Sequence, residues 1–323
     1  MRNELTYLLI AAAAIMASAC TKTHADKPDN SIHFSAVAEK STKAIISGTT
    51  YPTDESFVVN AYTNGTDPYF EDLTASYSNA LSLWETSTSQ YWPLSGSLDF
   101  VAYSPSSAQG INISASGVSA DNYTILSNAQ MTTDLCYASE TVADCSNHPE
   151  YVSLTFSHAL SQVVFRVKAA DYYTNSSRQV TLSLTSLAMA GIYSVGDFSD
   201  GTWDNQGSEN TYSLSATPTP LTYDANDDPE TADICSYVFI PQEFGPNAEL
   251  RVGYKVKFTY PAAEPDSLVN APVPIPLGSN VTEWQAGKKY IYTISIGMDN
   301  LITFTASAVG WQDENDNIIV EEN

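Results

Sequence analysis

The chain has 323 residues, which is enough for about two domains of ordinary size. Its 13 Lys and Arg stand against 37 Asp and Glu, so the formal charge is -24 and nucleic acid or an anionic membrane surface would be repelled. Charged residues make up only 15% of the chain while tyrosine occurs 20 times, a composition that favours an exported β protein over a cytoplasmic enzyme.

Residues 1–20 predict an export signal. Arg2 precedes an apolar run from Leu8 to Ala17, and small residues then lead directly to Cys20. This is the order of a secretory signal peptide, and the final cysteine resembles that of a bacterial lipoprotein, where it is acylated, for instance with palmitate. The run is shorter than the roughly 20 residues that cross a bilayer, so a lipid on Cys20 would tether the mature chain to a membrane. Because Ala17 stands where such signals usually have leucine, an ordinary signal peptide with a nearby cysteine is the alternative.

The rest of the chain predicts an all-β fold. Residues 21–31 are polar and without periodicity, so they are interpreted as a flexible tether. Apolar and polar residues then alternate with period two in many short runs, most clearly in Leu250, Val252, Tyr254, Val256 and Phe258. We expect two β-sandwich domains in tandem, at 32–150 and 151–323, divided near Pro149. Only residues 70–83 offer a weak helix candidate.

Three cysteines follow Cys20. Cys136 and Cys145 are close enough in sequence to close a short disulfide loop in an exported protein, which would leave Cys235 over. Free thiols are the alternative. No CxxC spacing indicates zinc, and no metal site is predicted.

Signals of catalysis are absent from the sequence. It has no GxSxG elbow, no HExxH and no glycine-rich phosphate loop. Of four histidines, His24 and His33 lie in or beside the tether, His148 lies in the boundary loop, and His158 is expected to pack or cap rather than to react. The sequence therefore predicts neither an enzyme nor a cofactor.

Several stretches share an order and spacing with one family. They are Tyr91–Pro93 followed by Leu98–Pro105, then Leu154–Val167, Phe239–Gln242, Trp284–Tyr292 and the C-terminal Ile302–Trp311. Together they resemble the fimbrillins, subunits of the type V pili of Gram-negative oral and gut anaerobes. The resemblance covers nearly the whole chain.

The resemblance implies a precursor of two Greek-key, transthyretin-like β-sandwich domains, carried as a lipoprotein to the outer membrane and the cell surface or fimbrium. In polymerising members a protease removes an N-terminal segment that includes the first strand. The emptied groove then accepts a donor strand from another subunit, of the same or a paralogous kind. Such strand addition takes affinity from backbone hydrogen bonds and register from side-chain pockets.

Mapped onto this chain, the removable segment runs from Cys20 through Lys43, with cleavage before Ala44. The predicted leader strand carries Ile32, Phe34 and Ala36, and the predicted donor strand carries Ile302, Phe304, Ala306 and Ala308. Well-known members are cut after arginine, whereas this region offers Lys40 and Lys43. The alternatives are therefore no cleavage, as in an anchor or a surface adhesin, and two strands that stay in their own domains.

A second functional hypothesis is a monomeric surface lipoprotein that captures glycans or host proteins. Aromatic side chains form stacking platforms for sugars, and the candidates are Trp84, Trp92, Trp203, Trp284 and Trp311. Retention in the periplasm is a further alternative, because no acidic residues directly follow Cys20.

Overall fold

The computed structural model describes residues 30–38, 51–126, 130–169, 179–214, 221–223, 231–260, 263–279, 281–296 and 302–311. These residues form twenty strands: β1 (Phe34–Ala38), β2 (Phe57–Thr63), β3 (Asp67–Ser78), β4 (Leu83–Thr86), β5 (Leu98–Ser104), β6 (Asn112–Ser114), β7 (Gly117–Thr124), β8 (Cys136–Val142), β9 (Val152–His158), β10 (Ser161–Ala169), β11 (Gln179–Ser199), β12 (Thr202–Leu214), β13 (Leu221–Tyr223), β14 (Thr231–Phe239), β15 (Gln242–Glu243), β16 (Glu249–Tyr260), β17 (Ala263–Pro276), β18 (Glu283–Trp284), β19 (Lys288–Ile296) and β20 (Ile302–Gly310). Short 3-10 turns occupy Gln130–Thr132, Cys145–Asn147 and Leu277–Ser279.

The predicted all-β fold class is confirmed. The helix considered for residues 70–83 is wrong, because this stretch belongs to β3, the following turn and the start of β4. Phe70 and Ala75 of β3 are buried through pairing with β2, so tertiary contacts decide the conformation there. Across the described ranges, no helix is long and apolar enough to cross a bilayer.

The first seven-stranded sheet closes into a barrel in the order β1-β4-β3-β2-β5-β8-β9. All neighbours run antiparallel except β1 and β9, which are parallel from Phe34 opposite Val152 to Ala38 opposite Phe156. Successive side chains of a strand point to opposite faces, so every second side chain points into the barrel. Four fully buried phenylalanines lie at its centre: Phe34, Phe57, Phe100 and Phe156. Closure leaves the barrel without a free edge while β1 is in place.

Two further sheets share a second apolar cluster. One has the order β14-β10-β19-β20, and the other has the order β17-β16-β11-β7-β6, with β12 and β13 also paired to β11. Phe165 and Tyr292 from the first sheet pack in the same cluster as Met189 and Tyr254 from the second. The described residues from Ser31 onward group into one compact unit.

Sheet membership does not follow the sequence order around residue 150. Strands β6 and β7 lie before it but belong to the sheet of β11, where Thr124 of β7 faces Val195. Strand β9 lies after it but closes the barrel between β8 and β1. The chain thus changes sheets between His158 and Ser161, and the predicted domain limits at residue 150 stay a prediction.

The described cysteines are free thiols, which is the alternative given above to a Cys136–Cys145 disulfide. Cys136 begins β8, which extends away from it for seven residues, or about 20 Å, to Val142. The three steps from Val142 to Cys145 span at most about 10 Å and do not return the chain to within the roughly 7 Å that a disulfide allows. Cys235 is also free.

Candidate functional site

Strand β1 lies between β4 and β9, and the residues of the predicted leader strand point into the barrel. Ile32, Phe34 and Ala36 are 2%, 0% and 4% exposed, while Ser35 and Val37 between them face outward. The inward series continues to Ala38, which the sequence argument missed although period two extends to it. The structure thus places a strand with alternate residues buried in the barrel where alternation predicted one.

Backbone hydrogen bonds hold the segment on both sides. The amide of Val152 in β9 donates to the His33 carbonyl at 2.8 Å. On the other side, the amide of Ile32 donates to the Gln90 carbonyl at 2.7 Å, and β4 meets β1 at a single register position. Removal of β1 would therefore leave strand edges that can pair with another strand.

Phe34 is the largest of the inward side chains of the predicted leader strand. Its ring contacts Phe57 and Phe100 edge-on, with centroids 5.9 and 5.7 Å apart. Burying such a ring contributes roughly 1.5–3 kcal/mol, and edge-on aromatic pairs add to this. The site at Phe34 is thus the largest pocket that a replacement strand would have to fill.

The predicted donor strand is β20, at the edge of the four-stranded sheet. It pairs only with β19 in the described sheets, antiparallel from Lys288 opposite Gly310 to Ile296 opposite Ile302. Phe304 is half-buried and stacks on Tyr292, with ring centroids 5.1 Å apart and planes 12° apart. An edge strand loses one row of backbone bonds on leaving its sheet, whereas a central strand loses two.

Burial along β20 only partly follows the predicted face. Ile302 and Phe304 are half-buried and Ala306 is buried, but Ala308 is exposed. Val309 is buried on the other face, where it forms a small cluster with Val164 and Ile291. In its own sheet β20 thus buries its donor residues less completely than β1 buries its leader residues.

The two segments carry the same residue types in the same order at alternate positions. Residues 32–38 contain Ile, Phe, Ala and Ala at every second position, and residues 302–308 repeat the series Ile, Phe, Ala, Ala at every second position. This correspondence was missed when each segment was judged only by its own periodicity. Direct alignment of the two segments would have found it.

The remaining residues of the predicted maturation pathway lie outside the described residues. These are the lipidation residue Cys20 and the cleavage residues Lys43 and Ala44. Their roles stay predictions.

The tryptophans do not form an exposed stacking platform. Trp84, Trp92, Trp284 and Trp311 are at most 4% exposed, and Trp203 is half-buried. The Trp203 indole donates to the Ala159 carbonyl at 2.7 Å and packs on Phe198. Core packing therefore accounts for these residues, and the glycan-capture hypothesis gains no support from them.

A buried polar cluster occupies the end of the β8–β9 pair. Asp134 precedes β8, Cys136 begins it, and His158 ends β9 directly opposite Cys136. Asp134 Oδ2 lies 2.5 Å from His158 Nδ1 and 3.4 Å from Cys136 Sγ, which is 3.5 Å from the same nitrogen. Trp311 covers the imidazole, stacked at a centroid distance of 4.0 Å.

Thiol, imidazole and carboxylate are the groups of a nucleophilic triad, but these three are at most 3% exposed. Burial raises the pKa of Cys136 well above its usual range, and the negative charge of Asp134 raises it further. A buried, protonated thiol is a poor nucleophile, so the burial of Cys136 argues against a catalytic role. The sequence could not reveal this cluster, because its residues meet only through the register of β8 and β9.

Solved structures of other proteins share the fold of this chain. A fimbrial protein from Bacteroides vulgatus superposes with a TM-score of 0.59 at 16% identity, over 87% of this chain and 99% of that chain. A candidate cell-adhesion protein from Parabacteroides distasonis gives a TM-score of 0.50 at 10% identity, over 87% and 99% of the two chains. Identities this low establish a shared fold alone. No curated protein matches the chain at a significant level.

The profile of a family described as fimbrillin-like matches residues 42–311. The match begins after β1 and ends at Trp311, one residue beyond β20. It covers most of the sequence and confirms the resemblance seen in the motifs. The chain belongs to the fimbrillin-like family.

Proposed function

We propose that the protein is a structural subunit or accessory adhesin of a type V pilus and acts without catalysis. In this proposal it is exported as an outer-membrane lipoprotein through Cys20 and assembled at the cell surface by proteolysis-assisted donor-strand exchange. The barrel and the two-sheet unit would serve as its two domains. The observation that carries the proposal is the series Ile, Phe, Ala, Ala, which occurs at alternate positions in residues 32–38 and again in residues 302–308.

Cleavage before Ala44 would separate β1 from the rest of the chain. Loss of β1 would uncover the pocket of Phe34 and the facing edges of β4 and β9. Exposed apolar surface and unpaired backbone groups are both unfavourable in water, so the groove would bind a strand of matching pattern. Until cleavage, β1 protects the groove from premature association.

The strand β20 of a second copy has the side chains that this groove requires. In the same polarity as β1, Phe304 would fill the pocket of Phe34 while Ala306 and Ala308 take the places of Ala36 and Ala38. In the opposite polarity Phe304 would fall on the site of Ala36, leaving a cavity at Phe34 and overpacking elsewhere. We therefore expect the donor to run parallel to β9.

Pairs of cysteines, one on β9 and one on the strand that occupies the position of β1, test this arrangement. Val37 faces Thr155 in the parallel pairing of β1 with β9, and Ser307 would take the position of Val37. In the chain with Cys235→Ser, the double variant Thr155→Cys with Ser307→Cys should give a ladder of disulfide-linked subunits that survives boiling and disappears on reduction. Electrophoresis without reductant measures it.

Two matched variants complete the test. Thr155→Cys with Thr303→Cys places the donor cysteine where only the opposite polarity would bring it to Thr155, so no ladder is expected. Val37→Cys with Thr155→Cys should lock β1 in its own barrel and block assembly until the bond is reduced. A ladder from the Thr303 variant would overturn the polarity, and no ladder from either donor variant would refute exchange into this groove.

A further inference from the structure

The cluster of Asp134, Cys136 and His158 brings together three metal-ligating side chains, all buried. It leaves two buried atoms, Asp134 Oδ1 and His158 Nε2, without hydrogen-bond partners. Each unsatisfied atom of this kind costs about 1–3 kcal/mol, and both belong to proposed ligand side chains, although neither is one of the three donor atoms of the site. Carboxylates removed from water are ordinarily paired with a cation or bound to a metal, and the group that Asp134 Oδ2 contacts here is the imidazole of His158.

The spacing of the three donor atoms fits one ion. The triangle of Asp134 Oδ2, Cys136 Sγ and His158 Nδ1 has sides of 2.5, 3.4 and 3.5 Å, so a circle through the atoms has a radius of about 1.9 Å. Zinc bonds are roughly 2.0–2.2 Å to nitrogen and oxygen and 2.3 Å to sulfur. An ion about 1 Å out of the plane would lie within bonding distance of all three atoms, and the 2.5 Å separation of Asp134 Oδ2 from His158 Nδ1 would widen as the ligand angles approach tetrahedral values.

The chemistry of the donor set selects the metal. One thiolate, one imidazole and one carboxylate are a set of intermediate softness that suits zinc better than calcium or magnesium. Two negative ligands balance the charge of a divalent ion, so the loaded cluster would be neutral in its apolar surroundings. On binding, the Cys136 thiol would release its proton to solvent, and the imidazole would carry its proton on Nε2 while Nδ1 binds the ion.

An entry path leads to one ligand. Asp134 lines a cavity of about 190 Å³ together with Glu55, Ser104, Thr132 and Thr133. The volume is ample for a water molecule as the fourth ligand. The carboxylate of Glu55 adds a negative charge at the opening, which favours entry of a cation.

We propose that Asp134, Cys136 and His158 bind one zinc ion through Oδ2, Sγ and Nδ1. The ion would fasten the start of β8 to the end of β9, next to the indole of Trp311. Its role is that of a structural clamp, because burial of the three ligands leaves no room for a substrate. The inference does not rest on the proposed pilus function, although Trp311, which covers the site, directly follows the donor-strand candidate β20.

Cobalt and zinc titrations of the intact full-length chain, with reduced thiols, test the proposal. We expect one cobalt ion per chain with a thiolate-to-cobalt charge-transfer absorption, displacement by one equivalent of zinc, and release of about one proton. Zinc should also raise the thermal unfolding midpoint. No stoichiometric binding, or bound cobalt without the thiolate absorption, would overturn the site without reference to any variant.

Two cysteine variants locate the ligand. Cys136→Ser should abolish the cobalt absorption and the one-to-one zinc binding, whereas Cys145→Ser, at another buried thiol of the barrel, should keep both. Far-ultraviolet circular dichroism of each variant shows whether its strands have formed. Loss of the signal in Cys145→Ser but not in Cys136→Ser would also overturn the assignment.

Discussion

Tyr292 places a buried hydroxyl beneath the donor-strand candidate. Its oxygen accepts a hydrogen bond from Trp284 Nε1 at 2.9 Å, and its ring stacks on Phe304. Burial raises the pKa of Tyr292, because the phenolate would lose its hydration. The folded chain thus holds the phenolic proton more tightly than the unfolded chain. The stability from this group is present below about pH 10 and is lost as the pH rises above it.

We expect Tyr292→Phe to lower the free energy of unfolding by about 1–3 kcal/mol at pH 7, because the buried Trp284 indole loses its acceptor. Between about pH 10 and 12, the unfolding free energy of the variant should fall less steeply than that of the wild type, since the variant has no phenol to ionise. Urea unfolding across this range measures both effects. Tyr91→Phe is the control, because Tyr91 is 55% exposed. Equal slopes for Tyr292→Phe and the wild type would contradict the argument.

Individual inward residues were predictable where alternation alone decides them. Ile32, Phe34 and Ala36 are buried as period two indicates, because a strand in a sheet has only two faces. His158 was rightly expected to pack, but its partners Asp134 and Cys136 were not foreseen. Periodicity reports which way a side chain points, whereas a polar cluster also depends on which strands are paired and in which register.

Among the elements, β1 has a buried face and an outward face. Phe34→Ala should lower the free energy of unfolding of the uncut precursor by about 3–5 kcal/mol, because a cavity replaces a fully buried ring in the barrel. Val37→Ala in the same strand should change it by less than about 0.5 kcal/mol, because Val37 is 40% exposed. Denaturant unfolding of both variants measures the difference. Similar small losses in the two would mean that β1 is not part of the stable barrel.

The pairing of elements was less predictable than their existence. Alternation marks strands such as β16 and β19, but it gives no information on which distant strand lies next to which. Strands β6 and β7 join the sheet of β11 across more than 50 residues of chain, so a boundary judged from local composition could not anticipate them. Closure of the barrel likewise depends on the long-range pairing of β1 with β9.

For the molecule as a whole, the proposed function predicts a processed polymer. Protein taken from its native surface should give a high-mass ladder on unboiled gels, and the subunits should begin at Ala44. Because strand addition is noncovalent, boiling should collapse the ladder to monomers. Electrophoresis with N-terminal sequencing of the bands measures both mass and cleavage site.

Two lysine variants are matched controls for the ladder. Lys43→Gln should keep the chain monomeric with β1 in place, whereas Lys40→Gln should leave the ladder unchanged. A single monomer band that retains a lipidated Cys20 in the unaltered protein would contradict polymerisation. That result would instead assign the chain to an anchor or a stand-alone surface binder.

The pairing of β1 with β9 also constrains the order of folding. Ser35 and Ser153 face each other across 118 residues of chain, whereas β2 and β3, or β3 and β4, are sequence neighbours. Closing so long a loop is entropically costly and slow, and contacts of high sequence separation form after local hairpins. Strand β1, the most N-terminal strand of the described residues, is therefore expected to dock last. The junction that folding completes last is the one that subunit exchange would reopen, so reopening leaves the earlier-formed hairpins intact.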